Sequence, residues 1–122
     1  MNPIFLFFKM VDDNLKDYVD NNIFTASARD VLEMCERDLS DYDPILIRTC
    51  CVNPKPNTEE EKKLPIAMIL REHGLESLAK KALSNNCEFV TDLVVTQAAS
   101  DDDYGSYDVM QFIGTGLIEK NS

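Results

Sequence analysis

Apolar residues at Ile4, Phe8, Val11, Leu15 and Tyr18 recur in alternating steps of four and three, the spacing that gathers side chains on one face of an α-helix. Asn2-Pro3 supplies a start, with a side-chain acceptor for the N-cap and a ring that fits the first turn. The pattern predicts a helix to about Asn21. A second face follows at Ala28, Val31, Leu32, Cys35 and Leu39, with Arg29, Glu33, Glu36 and Arg37 outside it. Thr25 or Ser27 can cap this helix, and Ser27-x-x-Asp30 approximates a capping box with a shorter acid. Two such faces in the first third of the chain point to a helical protein.

Ser40-Asp41-Tyr42-Asp43 breaks the second helix, and residues 45–52 (ILIRTCCV) then fit either a short helix or a buried strand. Periodicity cannot separate the two over so short a run. No partner strand lies nearby in sequence, so helix is the expectation. Asn53-Pro54-Lys55-Pro56-Asn57 reads as a loop, because two prolines remove donors and favour extended backbone. Thr58-Glu59-Glu60-Glu61 then opens a helix with its carboxylates at the positive end of the dipole. Pro65 interrupts or restarts it, Ile66, Ile69 and Leu70 give it a core face, and Gly74 is expected to end it. A further helix, Leu75 to Ser84, turns Leu75, Leu78, Ala79, Ala82 and Leu83 inward and Lys80-Lys81 outward, with Asn85-Asn86 at its C-cap.

The stretch from Leu64-Pro65-Ile66 through Gly74-Leu75-Glu76 to Asn85-Asn86 is similar in outline to an ankyrin unit. Lys80 and Lys81 fall where that family places buried leucines, and no second copy recurs at a period of about 33. A plain helix–turn–helix hairpin is therefore expected. In the last third, Phe89, Val90, Leu93 and Val94 have helical spacing, while Val94-Val95-Thr96 carries the β-branched residues of a strand. Ser100 to Ser106 reads as an exposed acidic loop, followed by helix to about Ile113 and an irregular tail. The fold expectation is one domain over residues 1–122, mainly α: a single compact bundle of five or six helices. A short β pairing between 45–52 and 90–96 can accompany the bundle.

Composition restricts function more than fold. Twelve basic residues against 22 acids leave a net charge of −10 over 122 residues. Affinity for polyphosphate comes largely from Lys and Arg displacing counterions, so direct binding to nucleic acid or to an anionic membrane is not expected. The apolar run Ile4 to Phe8 is cut off by Lys9 and Asp12-Asp13, too short for a membrane span, and a cytoplasmic location is the expectation. Residues 11–43 carry a net −7 and residues 85–122 a net −6, on either side of a mixed segment.

No catalytic or metal motif accompanies that charge. Cys35, Cys50, Cys51 and Cys87 form no C-x-x-C pair, and His73 is the single histidine, so buried free thiols, no metal and no cofactor are expected. Counting an EF-hand loop from Asp101 puts Ser106 at the sixth position and Phe112 at the twelfth, where Gly and Glu are needed. His73, beside Gly74, reads as a residue of a helix C-terminus. The sequence is thus read as a protein-binding module, an inhibitor or regulator of a partner protein with a basic surface, and not as an enzyme. The aromatic end (Phe5, Phe7, Phe8) and the acids Asp12, Asp13, Asp101, Asp102 and Asp103 are the candidate contacts. A homodimer through the N-terminal helix fits the same reading. The alternatives are a nucleic-acid mimic that inhibits a DNA-binding enzyme, and a small enzyme with an unrecognised site at His73 or a cysteine.

Overall fold

A computed structural model of the chain describes residues 14–52, 65–102 and 105–120. It corrects the expectation of a helical bundle: a three-stranded antiparallel sheet forms the centre, with three α-helices around it. In chain order the elements are helix α1, whose described part covers residues 14–22, α2 (Ala28–Met34), a 3-10 turn (Leu39–Asp41), strand β1 (Tyr42–Val52), α3 (Ile66–Ser84), β2 (Phe89–Asp102) and β3 (Gly105–Glu119). The strand order is β1-β3-β2, so β3 is central and β1 and β2 run parallel on its two sides. Strand, helix, strand, with a third strand inserted between the two, is a split βαβ arrangement.

Residues 45–52 and 90–96 are both strands, yet they never pair with each other. Each pairs with β3, Ile47 opposite Gly114 and Val95 opposite Phe112. Strand pairing joins residues far apart in sequence, so the absence of a neighbouring partner excluded nothing. The segment expected to hold an acidic loop, a helix and a tail is one hairpin, with Asp102 opposite Gly105. Nor does Gly74 end a helix. It lies inside the continuous α3, where a Cβ would run into the ring of Phe112. Glycine serves here to bring two elements close.

One sheet face is packed by α1 and α3. Leu15, Tyr18, Ile47, Leu70, Leu78, Ala79, Ala82, Val90, Met110 and Phe112 are buried together there. Gly116 makes room in this layer, since a Cβ would lie 2.5 Å from Cys87 Sγ and 2.8 Å from Ile47 Cγ1. On the opposite face, one end is covered by α2, where Val31 and Leu32 pack with Tyr42, Phe89 and Leu117. The expected cap holds: Ser27 Oγ accepts from Asp30 N at 3.2 Å. Cys35 and Leu39, expected inward, are exposed because the helix stops at Met34. Beyond α2, no described element lies over the second face.

Candidate partner-binding surface

Alternation along β1 decides which side chains face solvent. Ile45, Ile47 and Cys51 point into the core layer, and Leu46, Arg48, Cys50 and Val52 point to the opposite side and are exposed. Register carries the pattern across the sheet. Arg48 lies opposite Ile113, which lies opposite Val94; Val52 lies opposite Val109, which lies opposite Ala98. Leu46 is 68% exposed, Val94 56% and Val52 50%, with Ile113 and Val109 half-buried between them. Two apolar groups thus share this face, Leu46 with Ile113 and Val94 beside Arg48, and Val52 with Val109 and Ala98, with the row Cys50, Gln111 and Thr96 between them. Exposed apolar groups that are contiguous, unlike scattered ones, mark contact surfaces.

The two sheet edges differ. The outer edge of β2 is taken up at its start by residues 23–26: Phe24 N donates to Val90 O at 2.8 Å, Asp92 N to Ala26 O at 2.8 Å and Leu93 N to Phe24 O at 3.1 Å. A β-bulge between Thr91 and Val94 distorts it further, with Asp92 at φ 56°. The Asp92 carboxylate accepts from Thr91 Oγ1 at 2.9 Å and from Ala28 N, the first residue of α2, at 3.1 Å. By contrast, β1 pairs with β3 through eleven residues without a register shift. Beside β1 is a recess of about 200 Å³ lined by Arg48, Thr49, Cys50, Lys81, Gln111 and Ile113.

A second, wider cleft of about 620 Å³ lies along α2, where Arg29 and Arg37 alternate with Glu33, Glu36 and Asp38. Its charges largely compensate one another. Arg37 is also held in a clamp: its Nη1 donates to Tyr42 Oη at 2.8 Å, and Tyr42 Oη donates to Glu88 Oε2 at 2.7 Å. Burial first, then Glu88, pushes the Tyr42 phenol up to about 12. The clamp joins the end of α2 to the starts of β1 and β2, which is a structural task.

The residues expected to make contacts do not come together. Phe5, Phe7, Phe8, Asp12, Asp13 and Asp103 lie outside the described residues. Asp101 and Asp102 are the last residues of β2, paired with Ser106 and Gly105, and are not part of a loop. His73 is half-buried in the middle of α3, far from a helix end in sequence. All four cysteines are free, but only Cys87 is fully buried; Cys35 and Cys50 are exposed. Among the described residues, no group of three His, Cys, Asp or Glu is placed to hold a metal ion, and no helix is long and apolar enough to cross a membrane.

Sequence reasoning missed Leu46, Val52, Val94, Ile113, Arg48 and Lys81. The signal present was the density of β-branched residues in 45–52 and 90–96. The chain matches no protein-family model, no curated protein and no solved structure.

Proposed function

We propose that this chain is a protein-binding module that regulates or inhibits its partner, using the sheet face opposite α1 and α3 and the neighbouring β1 edge. The observation that carries the reading is the exposed apolar set of Leu46, Val52 and Val94 around Ile113 and Val109, which no described element covers, while α1 and α3 pack the other face. A partner that covers it removes apolar area from water at about 25 cal/mol per Å² of gross gain, and Arg48 and Gln111 within it fix orientation. The net charge of −10 favours a partner whose outer surface is basic, because opposite fields raise the association rate and make it fall with salt.

The test is affinity capture with the tagged full chain, run in parallel with a Leu46→Asp, Val94→Asp double variant. Both positions are exposed, so stability should change by no more than about 0.5 kcal/mol each. The expected result is a stoichiometric partner held by the parent chain and lost by the equally stable variant. A partner retained by the variant removes the sheet face from the function.

A further inference from the structure

Three independent features establish which backbone groups of β1 turn away from β3. In an antiparallel ladder, residues alternate between exchanging hydrogen bonds with the partner strand and turning their N–H and C=O away from it. Lys120 N donates to Asp41 O at 2.9 Å, one step beyond the Tyr42–Glu119 pair, so the odd-numbered residues of β1 are the ones bonded to β3. Pro44, which has no N–H, falls among the even-numbered set, where its missing donor costs the ladder nothing. Lys81 Nζ, reaching over from α3, donates to the carbonyl of Arg48 at 2.9 Å, so that carbonyl points outward. Leu46, Arg48, Cys50 and Val52 therefore turn their backbone groups to the outer edge, where no described strand pairs with them.

That edge also has a charge of its own. In a chain of net −10, the recess beside it is lined by two cations, Arg48 and Lys81, with no carboxylate among its described lining residues. A hydrogen-bonding ladder and a cationic seat side by side match an extended strand with an acidic side chain. Strand addition to an exposed edge draws affinity from the main chain and specificity from side-chain seats. We propose that the β1 edge receives an extended peptide segment of the partner, whose central Asp or Glu carboxylate is held between Arg48 and Lys81.

This rests on the protein-binding reading and adds the chemistry of the segment bound. Lys81 now occupies the Arg48 carbonyl; the incoming carboxylate gives its ammonium a stronger acceptor and frees the carbonyl for the added strand's N–H. The overall negative field opposes an acidic peptide at long range, but at physiological salt it decays over about 8 Å. The two cations act at contact distance.

The probes are short capped peptides of alternating valine and threonine with a central glutamate, and the same peptides with glutamine or lysine there. They are titrated into the isotopically labelled full chain and followed by NMR. The glutamate peptide should shift the amides of Leu46, Arg48, Cys50 and Val52 and bind about tenfold more tightly than the glutamine peptide, the gain of one charge-assisted hydrogen bond. An Arg48→Gln, Lys81→Gln variant should bind all three alike, and Lys81→Arg should keep the preference. No shift along the edge at millimolar peptide, or equal affinity for the glutamate and glutamine peptides, overturns the proposal. Loss of capture in Leu46→Asp, Val94→Asp together with full capture by Arg48→Gln, Lys81→Gln also overturns it, while leaving the protein-binding reading intact.

Discussion

Gly74 of α3 sits directly against the ring of Phe112 in β3, so close that a single added methyl group would overlap the ring. Phe112 is fully buried, at the centre of the layer between α3 and the sheet. The closeness of helix and sheet therefore depends on one missing Cβ.

Gly74→Ala raises helix propensity by about 1 kcal/mol, yet the net effect should be a loss. Overpacking a filled core costs about 1–3 kcal/mol or more when a ring must move, and the Phe112 ring is fully buried. Chemical denaturation should show the destabilisation. Combining Gly74→Ala with Phe112→Leu should cost less than the sum of the two single changes, because the second shrinks the side chain that the first strikes. Simple additivity would mean that the two residues are not in contact.

Asp92 stands in the left-handed region within the bulge of β2 and joins two elements through one carboxylate. Asp92→Ala loses the cap on Ala28 N and forces an alanine into a positive φ, so a cost of about 2 kcal/mol is expected. Asp92→Gly relieves the backbone but keeps the lost cap, and should cost less. Asp92→Asn retains an acceptor and tolerates the conformation, and should be the mildest. Thermal melting of the three variants tests this order; an alanine variant as stable as the asparagine one would refute it.

Much of residues 14–34 was legible, because a cap and a helical face are local: Ser27 bonds Asp30 as expected, Val31 and Leu32 are buried, and so are Leu15 and Tyr18. The sheet was not. Strand β1 has its partner more than fifty residues on, in β3, and its two faces are both largely apolar, Ile45 and Ile47 on one and Leu46 and Val52 on the other. No period of two therefore stands out. Gly74 reads as a helix end, although it answers to a neighbour that packing alone reveals, the ring of Phe112, and Gly116 answers likewise to Cys87 and Ile47. The candidate surface suffers from the same limit, since its residues come from three strands and Lys81 from a helix.

Alkaline pH should unfold the protein through its buried phenols. Burial, then the charges at Cys87 and Glu88, raises the Tyr18 phenol well above its ordinary value, and its hydroxyl donates to Cys87 O at 2.7 Å. Tyr42 is pushed up to about 12. A group whose pKa is raised by folding contributes its full stability below the unfolded value near 10 and loses it as pH climbs toward the folded one. Stability should therefore fall between about pH 10 and 12. Tyr42→Phe should lower stability by about 1–2 kcal/mol at neutral pH, through the lost bonds to Glu88 and Arg37, and flatten that fall. Denaturant midpoints measured from pH 7 to 11.5 check both; an unchanged alkaline slope in Tyr42→Phe would refute the second.

Thiol reactivity tests the strand directly. Cys50 and Cys51 are neighbours, but alternation in β1 turns Cys50 to solvent and Cys51 toward the core. Burial, then the neighbouring Cys50, raises the Cys51 thiol, and burial raises that of Cys87, which is 2% exposed. Attack requires an accessible thiolate. In the native protein at about pH 8, a disulfide reagent should thus titrate Cys35 and Cys50 in a fast phase, Cys51 more slowly, and Cys87 only on unfolding. Cys50→Ser should remove one equivalent from the fast phase, and Cys51→Ser should leave that phase intact. Equal fast labelling at both positions would contradict the alternation, and with it the outward row of Leu46, Arg48 and Val52 on which the binding surface is built.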